Sequence, residues 1–177
     1  MKATSLLKKQ HRQVEAIFKK LESGKADASA LLCELADALG AHMAIEQELF
    51  YPAVRSLKED LVAESFEEHA VAELALKRLM ATSPQALTFK AKVTTLKELI
   101  EHHVGEEEDD LFPAVEKKMS DADLTELGKA MKSAFDAAIE RGFEALVPRS
   151  MNVTSADEAN VPRASKNGRG RSLSAHR

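Results

Sequence analysis

The sequence predicts an all-α protein: an antiparallel up-down four-helix bundle with an additional C-terminal helix and a disordered tail. Three observations carry this. Apolar residues recur at alternating spacings of three and four through five segments, the signature of a helix buried on one face. The chain of 177 residues holds only seven Gly and five Pro, while Ala, Leu, Glu and Lys are abundant. No stretch of useful length alternates apolar and polar residues as a half-buried strand would. The implied organisation is a bundle over residues 1–119, a packed helix over 120–147 and a basic tail over 148–177.

The first helix is expected from about Thr4 or Ser5 to Glu22, with Leu7, His11, Val14, Phe18 and Leu21 as its seam and Ser23-Gly24 as its stop. The second follows Asp27 as N-cap and carries Leu35, Leu39, His42, Glu46 and Leu49; Pro52 should bend or end it, with a possible extra turn to about Lys58. The third, about Asp60 to Met80, carries Val62, Phe66, His69, Glu73, Leu76 and Met80. The fourth is expected to start at Ser83-Pro84, with Pro in the first turn, and to present Val93, Leu96, Ile100, His103 and Glu107. The fifth, after Ser120-Asp121, has the stripe Leu124, Leu127, Met131, Phe135 and Ile139 and packs outside the bundle or against a second copy. From Pro148 periodicity disappears. Six basic and two acidic residues give that tail +4, leaving −8 on the body of a chain whose net charge is −4.

The charge pattern argues against nucleic-acid binding by the bundle. No run reaches the ~20 apolar residues of a membrane span, no signal peptide is evident, and the lone Cys33 allows no internal disulfide; a cytoplasmic protein is expected.

The chemistry lies in a repeated stretch. His42-Met-Ala-Ile-Glu46 is separated by five residues from Pro52-Ala-Val54, and His103-Val-Gly-Glu-Glu107 by the same five-residue gap from Pro113-Ala-Val115. Residues four apart share a helix face, so each copy aims an imidazole and a carboxylate at one place. Four of the six histidines, His11, His42, His69 and His103, fall one per helix on the apolar seam. One seam histidine is ordinarily a satisfied core residue. One per helix at a common level, beside buried Glu46 and Glu107, calls for a cation, because unpaired buried charge costs several kcal/mol. Imidazole and carboxylate without thiolate suit iron, manganese or zinc, and two glutamates from facing helices favour a dinuclear centre. His102, next to His103, cannot also point inward; its distance to Pro113 selects His103. Glu108 is the alternative to Glu107. Gly105, in mid-helix, is either a tolerated weak spot or an opening for a neighbouring helix or a small molecule.

With these residues the chain resembles the hemerythrin-like, HHE cation-binding domain family over about Lys2 to Met119: a lone His11, the His42–Glu46 pair with Phe50-Tyr51-Pro52, a lone His69, and the His103–Glu107 pair with Leu111-Phe112-Pro113. The resemblance implies a left-handed bundle around a non-haem di-iron centre. His11, His42, His69 and His103 would be terminal ligands, and Glu46 and Glu107 would bridge the irons together with an oxo or hydroxo group. The oxygen-carrying members have a second histidine one turn after the third-helix histidine. Here that position is Glu73, which either ligates in its place or holds a ligand ring by a hydrogen bond. The implied function is binding or sensing of oxygen, nitric oxide or iron. The alternative is an enzyme acting on peroxide or dioxygen, or in iron-centre repair, for which the sequence offers no evident proton donor. A homodimer is compatible with this reading.

Overall fold

The computed structural model describes residues 1–24 and 27–146, so the predicted tail lies outside the described residues. Helix α1 (Ala3–Ser23) ends where expected: Gly24 adopts φ 63° and its N–H reaches the carbonyl of Leu21 at 3.3 Å. Glycine takes this left-handed conformation without the Cβ clash that other residues meet. Helix α2 (Ala28–Ile45) is capped by Asp27, whose Oδ1 accepts from the N–H of Ser29 at 2.9 Å and of Ala30 at 3.4 Å.

Pro52 does not end this helix. A single wide turn of π-helix, Glu46–Phe50, follows α2 directly, and the chain continues as α3 (Tyr51–Val54) and a 3₁₀ turn to Leu57. The same thing happens in the second copy: α5 (Phe89–Glu106) passes through a π turn, Glu107–Leu111, into α6 (Phe112–Lys118), across Pro113. A proline in an ordinary helix clashes with the carbonyl four residues back and leaves it without a donor. The turn just before each proline is widened: the Tyr51 N–H bonds the carbonyl of Glu46 and the Phe112 N–H that of Glu107, each five residues back instead of four. The extra residue also rotates the buried face. Phe50 and Tyr51 are buried where the regular period pointed to Leu49, which is only half-buried.

Helix α4 spans Glu59–Met80. The predicted start of the fourth helix at Ser83-Pro84 is wrong, because α5 begins at Phe89. Residues 81–88 instead form successive turns. The Ser83 hydroxyl accepts from the N–H of Gln85 at 3.3 Å, and the carbonyls of Ser83 and Ala86 accept from the N–H groups of Ala86 and Phe89. Serine bonding its local backbone competes with a helix, and Leu87 is fully exposed, so no burial holds this segment helical.

Helices α1, α2, α4 and α5 pack as a ring in which each touches the next and α5 returns to α1. Two apolar clusters fill the interior, one around Phe18, Leu35, Leu76 and Leu96 and the other around Leu7, Phe50, Tyr51, Phe66 and Phe112. The seam histidines and glutamates lie between them as a polar layer. The continuous helical stretch Ala28–Leu57 is apolar enough, at mean hydropathy 1.3, to match a membrane span by length and composition, which the expectation from sequence overlooked; 61% of that window is buried inside the protein.

Helix α7 (Asp121–Arg141), capped by the Ser120 hydroxyl on the Asp123 N–H, lies against α1 and α2. Its buried stripe is Leu124, Gly128, Met131 and Ala138, whereas Leu127 and Phe135 are half-buried and Ile139 is exposed. Gly128 permits the contact with the N-terminus, since a Cβ there would stand 2.3 Å from the Met1 carbonyl oxygen. Gly142, at φ 74°, turns the chain into the short α8 (Phe143–Leu146), anchored by the Phe143 N–H on Asp37 Oδ1 at 2.8 Å. Among the described residues no strand occurs.

Candidate metal centre

Each π turn begins at a glutamate of the repeated motif, Glu46 or Glu107, and places it in the middle of the ring of helices. Both carboxylates are buried, as are His11, His42, His69 and His103. Glu46 Oε2 lies 3.2 Å from His42 Nε2, on its own helix, and 3.4 Å from His69 Nε2 on α4. Glu107 Oε2 lies 3.8 Å from His103 Nε2, on its own helix, and 3.3 Å from His11 Nε2 on α1. Thus every seam histidine turns Nε2 inward, and each glutamate faces one histidine from its own half and one from the other.

The ligand atoms fall into two groups, each within 4.8 Å: His11, His42, Glu46 and Glu107, and then Glu46, His69 and His103. Glu46 belongs to both. His11 Nε2, His42 Nε2, both Glu46 oxygens and Glu107 Oε2 are fully buried and make no hydrogen bond. Orphaned buried acceptors of this kind are costly. A pair of cations would satisfy them together, and the donor set of imidazole and carboxylate fits iron, manganese or zinc.

The outward nitrogens are all engaged. His42 Nδ1 meets Gln10 Oε1 at 2.9 Å, His69 Nδ1 meets the Gln47 amide at 3.1 Å, His103 Nδ1 meets Glu68 Oε2 at 2.7 Å, and His11 Nδ1 meets Glu108 Oε1 at 2.8 Å. Arg12 in turn binds Glu108 at 2.6 Å. Oxygen acceptors on His42, His103 and His11 fix ring orientation, take the outer N–H and leave the inner nitrogen free for a metal, whereas the Gln47 amide nitrogen donates to the outer nitrogen of His69. The Tyr51 hydroxyl donates to Glu107 Oε1 at 3.1 Å and stands 3.3 Å from His69 Nε2 and 3.4 Å from His103 Nε2.

Electrostatics agree with a site built for cations. Burial, reinforced by the neighbouring histidines, holds His42 and His69 well below the usual imidazole range, hence neutral. Burial, together with the charge on Glu107, pushes Glu46 well above the usual carboxylate range. For Glu107 burial works in the same upward direction, but His103, His11 and the Tyr51 hydroxyl outweigh it and keep the carboxyl low. Without a cation a proton on this pair therefore favours Glu46 over Glu107. Burial also holds the Tyr51 phenol protonated.

The hemerythrin HHE cation-binding domain model matches residues 2–115, a span that includes every residue of this cluster. The chain belongs to that family. A crystal structure of an HHE cation-binding domain-containing protein from Mycobacterium kansasii, a homolog of Rv2633c, superposes with a TM-score of 0.70 at 29% identity, covering 79% of this chain and 88% of that one. Among curated relatives, the protein Rv2633c of Mycobacterium tuberculosis is 26% identical over 140 residues, 77% of this chain and 86% of the relative. A DNA nickase of Nostoc is 27% identical over 137 residues, 76% of this chain; the chain spans only 39% of that relative's length.

Of the predicted site residues, this HHE domain brings His11, His42, Glu46, His69, His103 and Glu107 together. Glu107, not Glu108, faces inward; Glu108 supports His11 from outside. Glu73 is buried one turn beyond His69, and burial pushes its carboxyl up, but it belongs to neither ligand group. His102 points outward, to Glu68 at 3.3 Å and Glu106 at 3.6 Å.

Reading from sequence passed over Gln10, Gln47, Glu68 and Tyr51. A signal for the first three was present. The residue before each lone histidine, Gln10 or Glu68, supports the paired histidine of its own half, and the residue after each glutamate, Gln47 or Glu108, supports the lone histidine of the opposite half. The repeat therefore extends one position beyond the ligands, as Gln-His or Glu-His and as Glu-Gln or Glu-Glu. Tyr51 had no such signal, because its counterpart is Phe112.

Proposed function

We propose that this protein is a non-haem di-iron protein that binds or senses oxygen, nitric oxide or iron. The observation that carries the reading is the pair of buried ligand groups sharing Glu46, with five orphaned inward-facing atoms. One position would be held by His11, His42, Glu46 and Glu107, and the other by Glu46, His69 and His103. Iron bound there would supply redox-active positions open to a small ligand. The chain's own part is to hold His42 and His69 neutral, orient the four rings and keep water scarce. A chamber of about 10 Å³, lined by the four histidines with Val14, Leu39, Met43, Ile100 and Val104, lies against the cluster. That is room for roughly one water-sized molecule in an apolar setting, which suits a diatomic ligand. Anaerobic reconstitution with ferrous iron, followed by iron counting and by optical spectra before and after air, tests this. Two irons per chain and an air-dependent spectrum are expected; no stoichiometric metal would overturn it.

One observation favours a second reading, turnover of peroxide or dioxygen. The Tyr51 hydroxyl, kept protonated by burial, is a proton donor in contact with Glu107 and two inner nitrogens. Steady-state peroxide consumption that falls in Tyr51→Phe at unchanged iron content would support it. The described body is acidic, and DNA cleavage is a property named for the much longer Nostoc relative, so no action on DNA is proposed.

A further inference from the structure

The two halves of the domain repeat each other's contacts at the metal centre but not at their helix interfaces. In the motif alignment, Gly105 and Val104 on α5 stand where α2 has Ala44 and Met43. On the α2 side Met43 is buried and belongs to the apolar cluster that includes Ala72 and Leu76 of α4. On the α5 side the space beside Gly105 is open, with nothing within 4 Å of where a Cβ would stand. A groove of about 290 Å³ runs there between α1 and α5.

The floor of this groove is Val14, Phe18, Ile100 and Val104, and it ends on His11. Val14, Ile100, Val104 and His11 also line the small chamber against the four histidines. The same four side chains thus line both the outer groove and the inner chamber, and the next residue along α5, Gly105, offers no side chain to the groove. The rim carries Glu15, Glu101, Glu108 and Asp109 against Arg12 and Lys97. Both cations are already engaged, Arg12 by Glu108 and Lys97 by Glu22 at 3.1 Å, which leaves the mouth net acidic.

We infer that the α1–α5 groove is the entry path to the metal centre for small neutral molecules, opened by Val104-Gly105 and closed to anions by its acidic rim. This inference rests on the reading that the centre takes a small ligand. An apolar floor passes a neutral diatomic molecule but not a hydrated ion, which would have to shed water without compensation. The asymmetry between the halves puts this approach on the α1–α5 side.

The test transplants the closed side onto the open one. Val104→Met with Gly105→Ala uses residues that the chain already carries at the matching positions of α2. Replacing a mid-helix glycine by alanine favours the helix, so folding is retained. Stopped-flow mixing of the iron-loaded, reduced protein with nitric oxide should show binding slowed by about tenfold or more, each tenfold being 1.36 kcal/mol of barrier, with unchanged iron content and final amplitude. Met43→Val with Ala44→Gly should open a second path and speed binding. Wild-type binding of nitric oxide should outpace that of azide, and Glu101→Gln with Asp109→Asn should narrow the gap. A metal-independent readout is xenon: pressurised crystals should show it on the Val14–Ile100–Val104 floor, and the double variant should lose it. If xenon is lost while the nitric oxide rate stays the same, the path lies elsewhere. Slower iron uptake by the apoprotein with unaffected nitric oxide binding would assign the groove to cations and overturn the inference. No spectral response to any small ligand, in a protein holding two irons, would instead sink the functional reading.

Discussion

Replacing Glu46 by glutamine should move the metal-free and metal-loaded proteins in opposite directions. Glu46 is completely buried, neither of its oxygens makes a hydrogen bond, and it faces a second buried carboxyl, Glu107. Without metal at neutral pH this group either stays ionised in a dry site or takes up a proton against its ordinary tendency. A glutamine of the same shape carries no charge, and its amide can donate to the orphaned Glu107 Oε2 or His42 Nε2; satisfying such a buried group recovers ~1–3 kcal/mol. The apoprotein should therefore gain about 2 kcal/mol, which in a domain of this size raises Tm by roughly 4–8 °C. The loaded protein loses the one carboxylate common to both ligand groups. Metal at a hundred times its Kd adds ~2.7 kcal/mol to the wild-type fold, and most of that increment should vanish in Glu46→Gln. The assay is thermal unfolding in chelator and in excess ferrous or manganous ion. An apoprotein destabilised by the change, or a metal-induced rise in Tm as large as in wild type, would refute the reasoning.

The other predictions concern protons, ring supports and packing. Burial and Glu107 push Glu46 up, and for His103 burial is outweighed by Glu107 and Glu68, which push it up too, while His42 and His69 are already neutral; metal binding near pH 7 should therefore release protons from Glu46 and His103, which calorimetry in buffers of different ionisation enthalpy measures, and zero release would contradict the assignment. In the apoprotein the depressed His42 and His69 values mean that the unfolded chain binds more protons below about pH 6.5. Their contribution to stability is present above that pH and lost as pH falls below it, while the raised Glu46 and His103 act in the opposite sense; the fall of Tm in chelator through this window should therefore be steeper in Glu46→Gln than in wild type. Gln10→Leu leaves His42 Nδ1 without its partner and should weaken metal binding by about 10–100-fold, read by competition with a chromophoric chelator. Gly128→Ala forces a Cβ against the Met1 carbonyl and should cost about 1–3 kcal/mol as overpacking, seen as a lower denaturation midpoint with the metal affinity unchanged.

By itself the sequence determined the helical class, the seams of α1, α4 and α5, the stop at Gly24, the cap at Asp27, the helix start after Ser120, and the six residues that converge on the centre. These are local or periodic features: a cap acts within one turn, and a seam repeats every three or four residues whatever it packs against. The tertiary structure decided the rest. It settled that Pro52 and Pro113 are carried through by π turns, because only a ring of neighbouring helices makes it worthwhile to keep the helix going past them. It joined Glu68 and Glu108 to histidines 35 and 97 residues away, placed Tyr51 over the cluster, and left a groove at one of two matching interfaces. Partners that far apart in the chain share no periodicity, so their pairing emerges only when the helices are packed.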